Sequence, residues 1–453
     1  MLLFALLPQA QAFCGTYVGP VGSSLENQAA QVILAREDER TVLTLANDYT
    51  GSEANFGIVI PVPEVLDADD VSLPDPELFA AFDLYAAPRI VSYSCEELHG
   101  TWDYSTTADT GTASSGGDPA NGVVVESSFS AGEYDIVVLS ATGSEGLVGW
   151  LDANGFSLSA SAQPIIQTYI DQGQYFLGAK VNLDSLPPGQ SFLSPLQLRY
   201  SSASFGLPIR IGTTVSPGEQ EVVIHFLTPS SDGKVAISNY SEGSLEDECM
   251  MPDSVTDYNE FYEGELESTF DSAIWLTEYA WDLGSCDPCS AEPPTEDQLI
   301  AAGATWYGAS YDSYITRVKL RYTPSEATQD LVFYTSGLRD SSQVRYIEYN
   351  EDLEDSFEVC GVGWTENPGT CDGSEGTGPE SEGWPFGGSA GGTSGESGGD
   401  KIEDEGGRCS TTPAGGALAP LLGIGVVASR RKRGYNPARP VLPGGQFKTE
   451  NAS

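Results

Sequence analysis

Two cysteines in a C-x-x-C arrangement form the clearest chemical pattern in this 453-residue sequence. Cys286 and Cys289 follow an aromatic segment in "WDLGSCDPCS". Redox pairs of this type work because the first thiolate lies at a helix N-terminus, where the helix dipole lowers its pKa. Here the next predicted helix begins only at Thr295, whose capping-box partner is Gln298, and neighbouring acids disfavour a thiolate. The pattern favours a structural disulfide, with an extracytoplasmic thiol–disulfide oxidoreductase as the alternative.

Histidine offers little further catalytic chemistry. His225 lies inside the apolar run "EVVIHFL", which is typical of a hydrogen-bonded imidazole in a strand, and His99 lies in "CEELHG". The sequence contains no G-x-S-x-G elbow, no H-E-x-x-H and no phosphate-binding glycine loop. Zinc needs four ligands, and only one such cysteine pair is present. We therefore predict no catalytic residue, no cofactor and no metal site, although glycosidase-type carboxylate pairs stay open.

The charge balance excludes one class of partner. With 66 acidic and 20 basic residues the formal net charge is −46, which repels a nucleic-acid backbone. Such acidity is typical of a well-hydrated surface. Acidic clusters such as "DADD" and "NEDLED" also prompt a calcium-dependent adhesin as a further hypothesis, although neither matches an EF-hand loop.

The pattern of apolar residues predicts an α+β protein, β-rich with mostly antiparallel sheets, a few short helices and two or three subdomains. Residues 13–104 predict a β-meander followed by a helix that Asp75 caps and Pro88 ends. A Gly/Ser/Thr-rich break at 105–121 precedes an α+β region at 122–245, with helices ending at Asn154-Gly155 and Gly173 and with strands that include "LPIRIG". Residues 246–365 predict the strand "IWLTEYAWD", the helix "TEDQLIAAG" and a hairpin in "YITRVKLRYTPSEATQDLVFY".

Both ends of the chain indicate export. Residues 1–12 contain a short apolar run and the small-x-small pattern "AQA", which predicts a signal peptide and an encounter with signal peptidase. Residues 366–408 are crowded with Gly, Ser and Glu, as in a spacer. In residues 409–433 an apolar run ends in the basic cluster "RRKR", which predicts a membrane anchor, and a 434–453 tail follows.

Several blocks together resemble one bacterial family. They are "AFCGTYV", "VILAREDERTVLTLANDY", "FGIVIPVP", "LYAAPRIVSY", "WLDANGFSL", "LSPLQLRY", "LPIRIG", "EYAWDLGSCDPC" and "YITRVKLRY", and they are similar to domain of unknown function 2330 from about Phe13 to the early 360s. This resemblance implies an exported bacterial protein without an assigned activity. The C-terminal tail resembles the myxobacterial C-terminal sorting signal, which implies that Cys409 is the processing and anchoring point and that sorting machinery is a partner.

The remaining cysteines fit an oxidising compartment. If Cys409 is the anchor, seven cysteines remain, so at least one is unpaired. We predict the pairs Cys14 with Cys95, Cys286 with Cys289, and Cys360 with Cys371, which leaves Cys249 single. The sequence as a whole favours an exported protein, anchored to the envelope or cell surface, that acts as a non-catalytic scaffold or binds an unidentified surface ligand.

Overall fold

A computed structural model describes residues 15–20, 30–47, 55–93, 123–159, 161–183, 193–215, 218–270, 273–285, 287 and 291–364. The five helices in these ranges are α1 (Glu77–Ala86), α2 (Ser144–Ala153), α3 (Ala162–Asp171), α4 (Tyr258–Thr269) and α5 (Glu296–Ala302). The strands are β1 (Thr16–Val18), β2 (Ala30–Glu37), β3 (Arg40–Asn47), β4 (Asn55–Val62), β5 (Val71–Ser72), β6 (Arg89–Val91), β7 (Val123–Ala131), β8 (Tyr134–Ala141), β9 (Tyr175–Asn182), β10 (Leu196–Ser201), β11 (Gly206–Leu207), β12 (Gln220–Pro229), β13 (Val235–Ile237), β14 (Ser241–Glu242), β15 (Ile274–Asp282), β16 (Ser313–Tyr322), β17 (Leu331–Thr335), β18 (Ser342–Gln343) and β19 (Arg345–Ile347).

Two large sheets organise these strands. The first has the order β14-β15-β16-β12-β2-β3-β10-β5, with β18 paired to β15, and the second has the order β1-β4-β9-β8-β7. Most pairs are antiparallel; β12 with β2, β14 with β15 and β19 with β6 are parallel. The predicted α+β class with mostly antiparallel sheets is confirmed. The larger sheet takes strands from all three predicted body regions, so these regions contribute to one common core.

The sheets and helices stack in layers that bury the apolar faces of both large sheets. The main core lies between the two sheets and combines Leu34, Ile224 and Leu320 of the larger sheet with Ile58 and Val138 of the smaller one. Helices α2 and α3 cover the outer face of the smaller sheet. Helices α1 and α5 cover the outer face of the larger sheet, and α4 packs beside them. Because helices cover the outer faces of both sheets, the central strands are buried on both sides.

Strong local signals in the sequence are confirmed. Strands β2 and β3 form the predicted antiparallel hairpin. Helix α5 has the predicted capping box between Thr295 and Gln298, and Gly303 ends it with a φ of 115°. Helix α1 begins one residue later than predicted, at Glu77, and the Asp75 carboxylate still accepts a hydrogen bond from the Glu77 N–H at 2.9 Å. These elements form where capping and turn residues act within a few positions.

Three strand predictions were wrong. Strand β4 does not continue a meander after β3, because it pairs with β1 and β9 in the other sheet. Strands β16 and β17 do not form a hairpin, because β16 lies between β12 and β15 whereas β17 pairs with β11 and β13. The segment "LPIRIG" contributes only the end of β11 before a 3₁₀ turn at Gly212–Thr214. Hydrophobic pattern identifies a strand but does not choose its partner.

Within the described ranges no helix is both long enough and apolar enough to cross a bilayer. The predicted signal peptide, spacer, anchor segment and tail lie outside the described residues.

Candidate functional site

The larger sheet buries a row of positive side chains. Arg317, Lys319 and Arg321 alternate along β16 and point to the helix-covered face, and each is at most 5% exposed. The intervening residues Val318 and Leu320 point into the core between the sheets. This alternation places three cations on a surface without bulk water, so each needs a carboxylate partner.

A β-bulge in the neighbouring strand supplies the central carboxylate. The register between β15 and β16 shifts between Thr277 and Tyr279, so Glu278 is the additional residue of the bulge. Glu278 is fully buried; its Oε2 accepts from Arg317 Nε at 2.5 Å, and its Oε1 lies 3.7 Å from Lys319 Nζ. Tyr262 of α4 donates its hydroxyl to the same carboxylate.

Helix α1 provides the second carboxylate, at one end of the row. Asp83 pairs with Arg317 and accepts from Gln31 Nε2 at 2.7 Å. His225 of β12 lies between them: its Nε2 is 3.2 Å from Arg317 Nη1 and 3.4 Å from Asp83 Oδ1. The imidazole is fully buried and meets the Phe82 ring edge-on. The prediction of a core histidine with polar partners is confirmed.

The other end of the row is closed by two glutamates. Glu221 of β12 contacts Lys319 Nζ at 3.2 Å and Arg321 Nε at 2.6 Å. Glu263 of α4 accepts from Arg321 Nη2 at 2.6 Å. The network thus joins three adjacent strands to α1 and α4 through three cations and four carboxylates, and we call it the buried ion network.

Mutual pairing fixes the protonation states in this network. Burial alone would raise the pKa of Glu278, but Arg317 and Lys319 lower it below its ordinary value, and Asp83 behaves in the same way beside Arg317. Burial lowers the pKa of Arg317, but Asp83 and Glu278 more than offset this effect, so its pKa is raised. Burial lowers the pKa of His225, with a further contribution from Arg317, which keeps the imidazole neutral. The carboxylates and the guanidinium therefore stay charged together.

This arrangement is suited to holding the fold in one register. Glu278 and His225 are closed to solvent, and the network's charges are directed at one another. Removing one partner of such a pair leaves an unpaired charge in the interior. An intact network therefore specifies which strands and helices must pack together. Sequence analysis missed this network. Its signal is the R-x-K-x-R alternation in "TRVKLRY", matched by single acids in the apolar segments "QEVVIHFL" and "IWLTEYAWD".

A disulfide lies next to α4 and corrects two predictions. Cys360 bonds to Cys249, not to Cys371, and Cys249 is therefore not single. The backbone explains the pairing: Met250 bridges to Ile347 and Val359, and Cys360 N donates to Met250 O at 2.9 Å. This alignment brings the two cysteine Cα atoms to 5.2 Å, although 111 positions separate them in sequence.

Other predicted positions have different outcomes. Cys14, Cys95, Cys286, Cys289, Cys371, Cys409 and His99 lie outside the described residues, so the predicted pairs Cys14–Cys95 and Cys286–Cys289 stay predictions. The "DADD" acids lie in a turn, where Asp67 Oδ1 accepts from Asp69 N at 2.8 Å. In the described part of the chain, no group of three or more His, Cys, Asp or Glu side chains could hold a metal ion.

The sequence matches the family model described as "Uncharacterized protein conserved in bacteria (DUF2330)" over residues 8–334. The chain belongs to this family. The family predicted from the sequence blocks is therefore confirmed. The match covers both large sheets except β18, the whole buried ion network and all five helices. No curated protein and no solved structure matches the chain. The resemblance of the tail to a sorting signal stays a prediction.

Proposed function

We propose that this DUF2330 protein is exported and works outside the cytoplasm as a non-catalytic scaffold or binding protein, held at the envelope or cell surface by its C-terminal segment. The observation that carries the proposal is the Cys249–Cys360 disulfide. It joins the segment that pairs with β19 through Met250 to a segment near residue 364, where the described residues end. Protein disulfides form and persist in oxidising compartments and are rare in the bacterial cytosol. Both cysteines are buried, at 3% and 4% exposure, as expected of a structural bond.

The ends of the sequence support the same compartment. A small-x-small pattern follows the N-terminal apolar run, and a cysteine precedes the C-terminal apolar run and its basic cluster. The Gly/Ser/Glu-rich residues 366–408 stand between the body and that segment, where a displayed domain needs a spacer.

The organisation of charge supports a non-catalytic role. A general acid or base must reach a proton on a substrate, and a nucleophile must reach a reacting atom. In the buried ion network, Glu278 and His225 are the groups whose chemistry suits catalysis. Both are enclosed by neighbouring side chains, and both contact Arg317. This is the behaviour of groups that maintain a rigid scaffold.

Localisation tests the proposal directly. The full chain is expressed in a bacterial host that exports family members, the cells are fractionated, and intact cells are treated with protease before immunoblotting of the body. We expect the body in the envelope fraction and sensitive to external protease. A cytoplasmic, protease-shielded product contradicts the proposal.

Anchoring has its own variant pair. Cys409→Ala is expected to release the body into the medium or leave an unprocessed, larger product, whereas Ser410→Ala keeps the wild-type distribution. Identical distributions for both variants would rule out Cys409 as the anchoring residue. Export itself is tested separately, by the fractionation experiment.

A further inference from the structure

An open depression lies on the surface beside α5, and none of its lining residues belongs to the buried ion network. It encloses about 380 Å³ and is lined by Glu296, Trp306, Tyr307, Gly308, Ser310 and Tyr311. Tyr307 is 91% exposed and Tyr311 is 57% exposed. Covering such exposed ring surface with a ligand is favourable.

The backbone holds the aromatic side chains in place. Gly308 has a φ of 76°, and a Cβ at this position would overlap the Tyr311 ring, so the ring lies directly on the glycine backbone. Trp306 Nε1 donates to Ser313 Oγ at 3.0 Å, which fixes the indole to the start of β16. The Trp306 and Tyr311 rings are therefore arranged before any ligand arrives, which reduces the entropic cost of binding.

Two polar groups of the lining already have partners. Glu296 Oε2 accepts from Ser310 N at 2.7 Å, and the Trp306 indole N–H is used by Ser313. The depression also offers a ligand aromatic side chains and the negative charge of Glu296. Loss of solvation, the Tyr307 phenol and the negative charges of Glu296 and Asp312 raise the pKa of Tyr311 above its ordinary value.

We propose that this depression binds a soluble quaternary ammonium ion such as choline. Aromatic faces attract cations through the ring quadrupole, and a quaternary ammonium group has no N–H donor that would need a partner. Glu296 and the net charge of −46 add long-range attraction for a cation. A phosphate-bearing head group would meet the carboxylate of Glu296. The proposal goes beyond the proposed function and does not depend on the compartment.

Isothermal titration of the full chain with choline tests the site, in buffers whose ionic strength is matched with NaCl. Its neutral isostere 3,3-dimethyl-1-butanol is expected to bind at least about tenfold more weakly, because it has the shape without the charge. Sodium is expected to give no saturable heat. Equal binding of the isostere, or of sodium, overturns the proposal, as does the absence of saturable choline binding.

Variants assign the binding to this depression. Tyr307→Ala is expected to weaken choline binding about two- to fivefold, the value of one exposed ring, and Tyr307→Phe to retain it. Glu296→Gln is expected to weaken binding about fivefold by removing a unit charge at short range. Tyr334→Ala removes a tyrosine that is 50% exposed on β17 and is the matched control. Equal loss in Tyr334→Ala and Tyr307→Ala, or no loss in Tyr307→Ala, places the binding elsewhere and overturns the assignment.

Two further probes separate the sources of the ligand. Phosphocholine is expected to bind more weakly than choline, and phosphatidylcholine vesicles are expected not to sediment the protein. Tighter binding of phosphocholine, or co-sedimentation that Tyr307→Ala abolishes, overturns a soluble phosphate-free ligand. Saturable binding of methyl glucoside without choline binding overturns the cation assignment altogether.

Discussion

Replacement of Glu278 by glutamine tests whether the buried ion network holds the sheet and helices together. Glutamine has almost the same shape and keeps one oxygen acceptor, so the variant removes the charge with little change in packing. In the wild type, Glu278 accepts from Arg317 Nε at 2.5 Å and lies 3.7 Å from Lys319 Nζ, with no exposure to solvent. The substitution therefore leaves two neighbouring cations with one carboxylate fewer.

The size of the effect follows from these contacts. A unit charge pair about 4 Å apart is worth about 4 kcal/mol at an effective dielectric constant of 20. Breaking a buried pair by removing one partner costs about 3–5 kcal/mol. Arg317 keeps Asp83, and Lys319 keeps Glu221 at 3.2 Å, so the loss falls near the lower limit. We expect Glu278→Gln to lower the free energy of unfolding by about 3 kcal/mol.

Urea unfolding followed by far-UV circular dichroism measures this loss, with the disulfide kept intact. Glu242→Gln is the matched control, because Glu242 pairs with Lys234 at 2.9 Å but is 44% exposed. An exposed pair is worth about 0–1 kcal/mol, so this variant should change stability little. If Glu278→Gln costs no more than the control, the carboxylate is solvated in the folded protein and the network does not have the role described above.

Three further predictions concern local stability. Gly303→Ala is expected to destabilise the protein by about 1–3 kcal/mol, because Gly303 has a φ of 115° and a Cβ there would lie 2.5 Å from the Val42 side chain. Gly149→Ala in α2 is the control: its Cβ meets nothing within 4 Å, so thermal melts should show a neutral or stabilising effect. Burial, assisted by a neighbouring glutamate, raises the pKa of Asp247 to about 6 from 3.8, so the folded state holds more protons between about pH 4 and 6 and stability falls as pH rises through this window. Asp247→Asn should abolish that slope and add about 1 kcal/mol at pH 7 in urea unfolding; an unchanged slope would assign it to another group. Replacing Cys249 and Cys360 together by alanine releases a loop with a sequence separation of 111 and is expected to cost up to about 5 kcal/mol in the chain-entropy model, and a loss below about 1 kcal/mol would contradict a stabilising bond.

The elements that could be predicted from the sequence are those whose signals are local. Thr295 and Gln298 cap α5, Gly303 ends it, and the charged turn after Glu37 reverses β2 into β3. In each case the residues that decide the structure lie within four positions of one another, so no distant partner enters.

The elements that the sequence did not predict depend on contacts with residues far away in the chain. Strand β17 looks like the return strand of β16 but pairs in another sheet, since its apolar side packs with Phe226 and Phe205 around Phe333. Helix α4 was missed because acidic residues dilute its pattern, although Asp257 caps it and Tyr262 and Leu266 form its buried side.

The network and the disulfide illustrate the same limit. The residues of β16 alternate in polarity, and polar residues at alternate positions of a strand usually face water. Here helices cover that face as well, and Arg317 becomes a buried group that needs acids from β15 and α1. The prediction paired Cys360 with Cys371, whereas the backbone bridges of Met250 bring Cys360 next to Cys249.

The oxidation state of Cys249 and Cys360 in native protein tests the central claim most directly. Cells are lysed into an alkylating agent, and the peptides of the isolated protein are mapped with and without reduction. We predict that both cysteines resist alkylation and are recovered as one cross-linked peptide pair that reduction separates. Recovery of both as alkylated thiols from freshly isolated material would contradict an oxidised protein that works outside the cytoplasm.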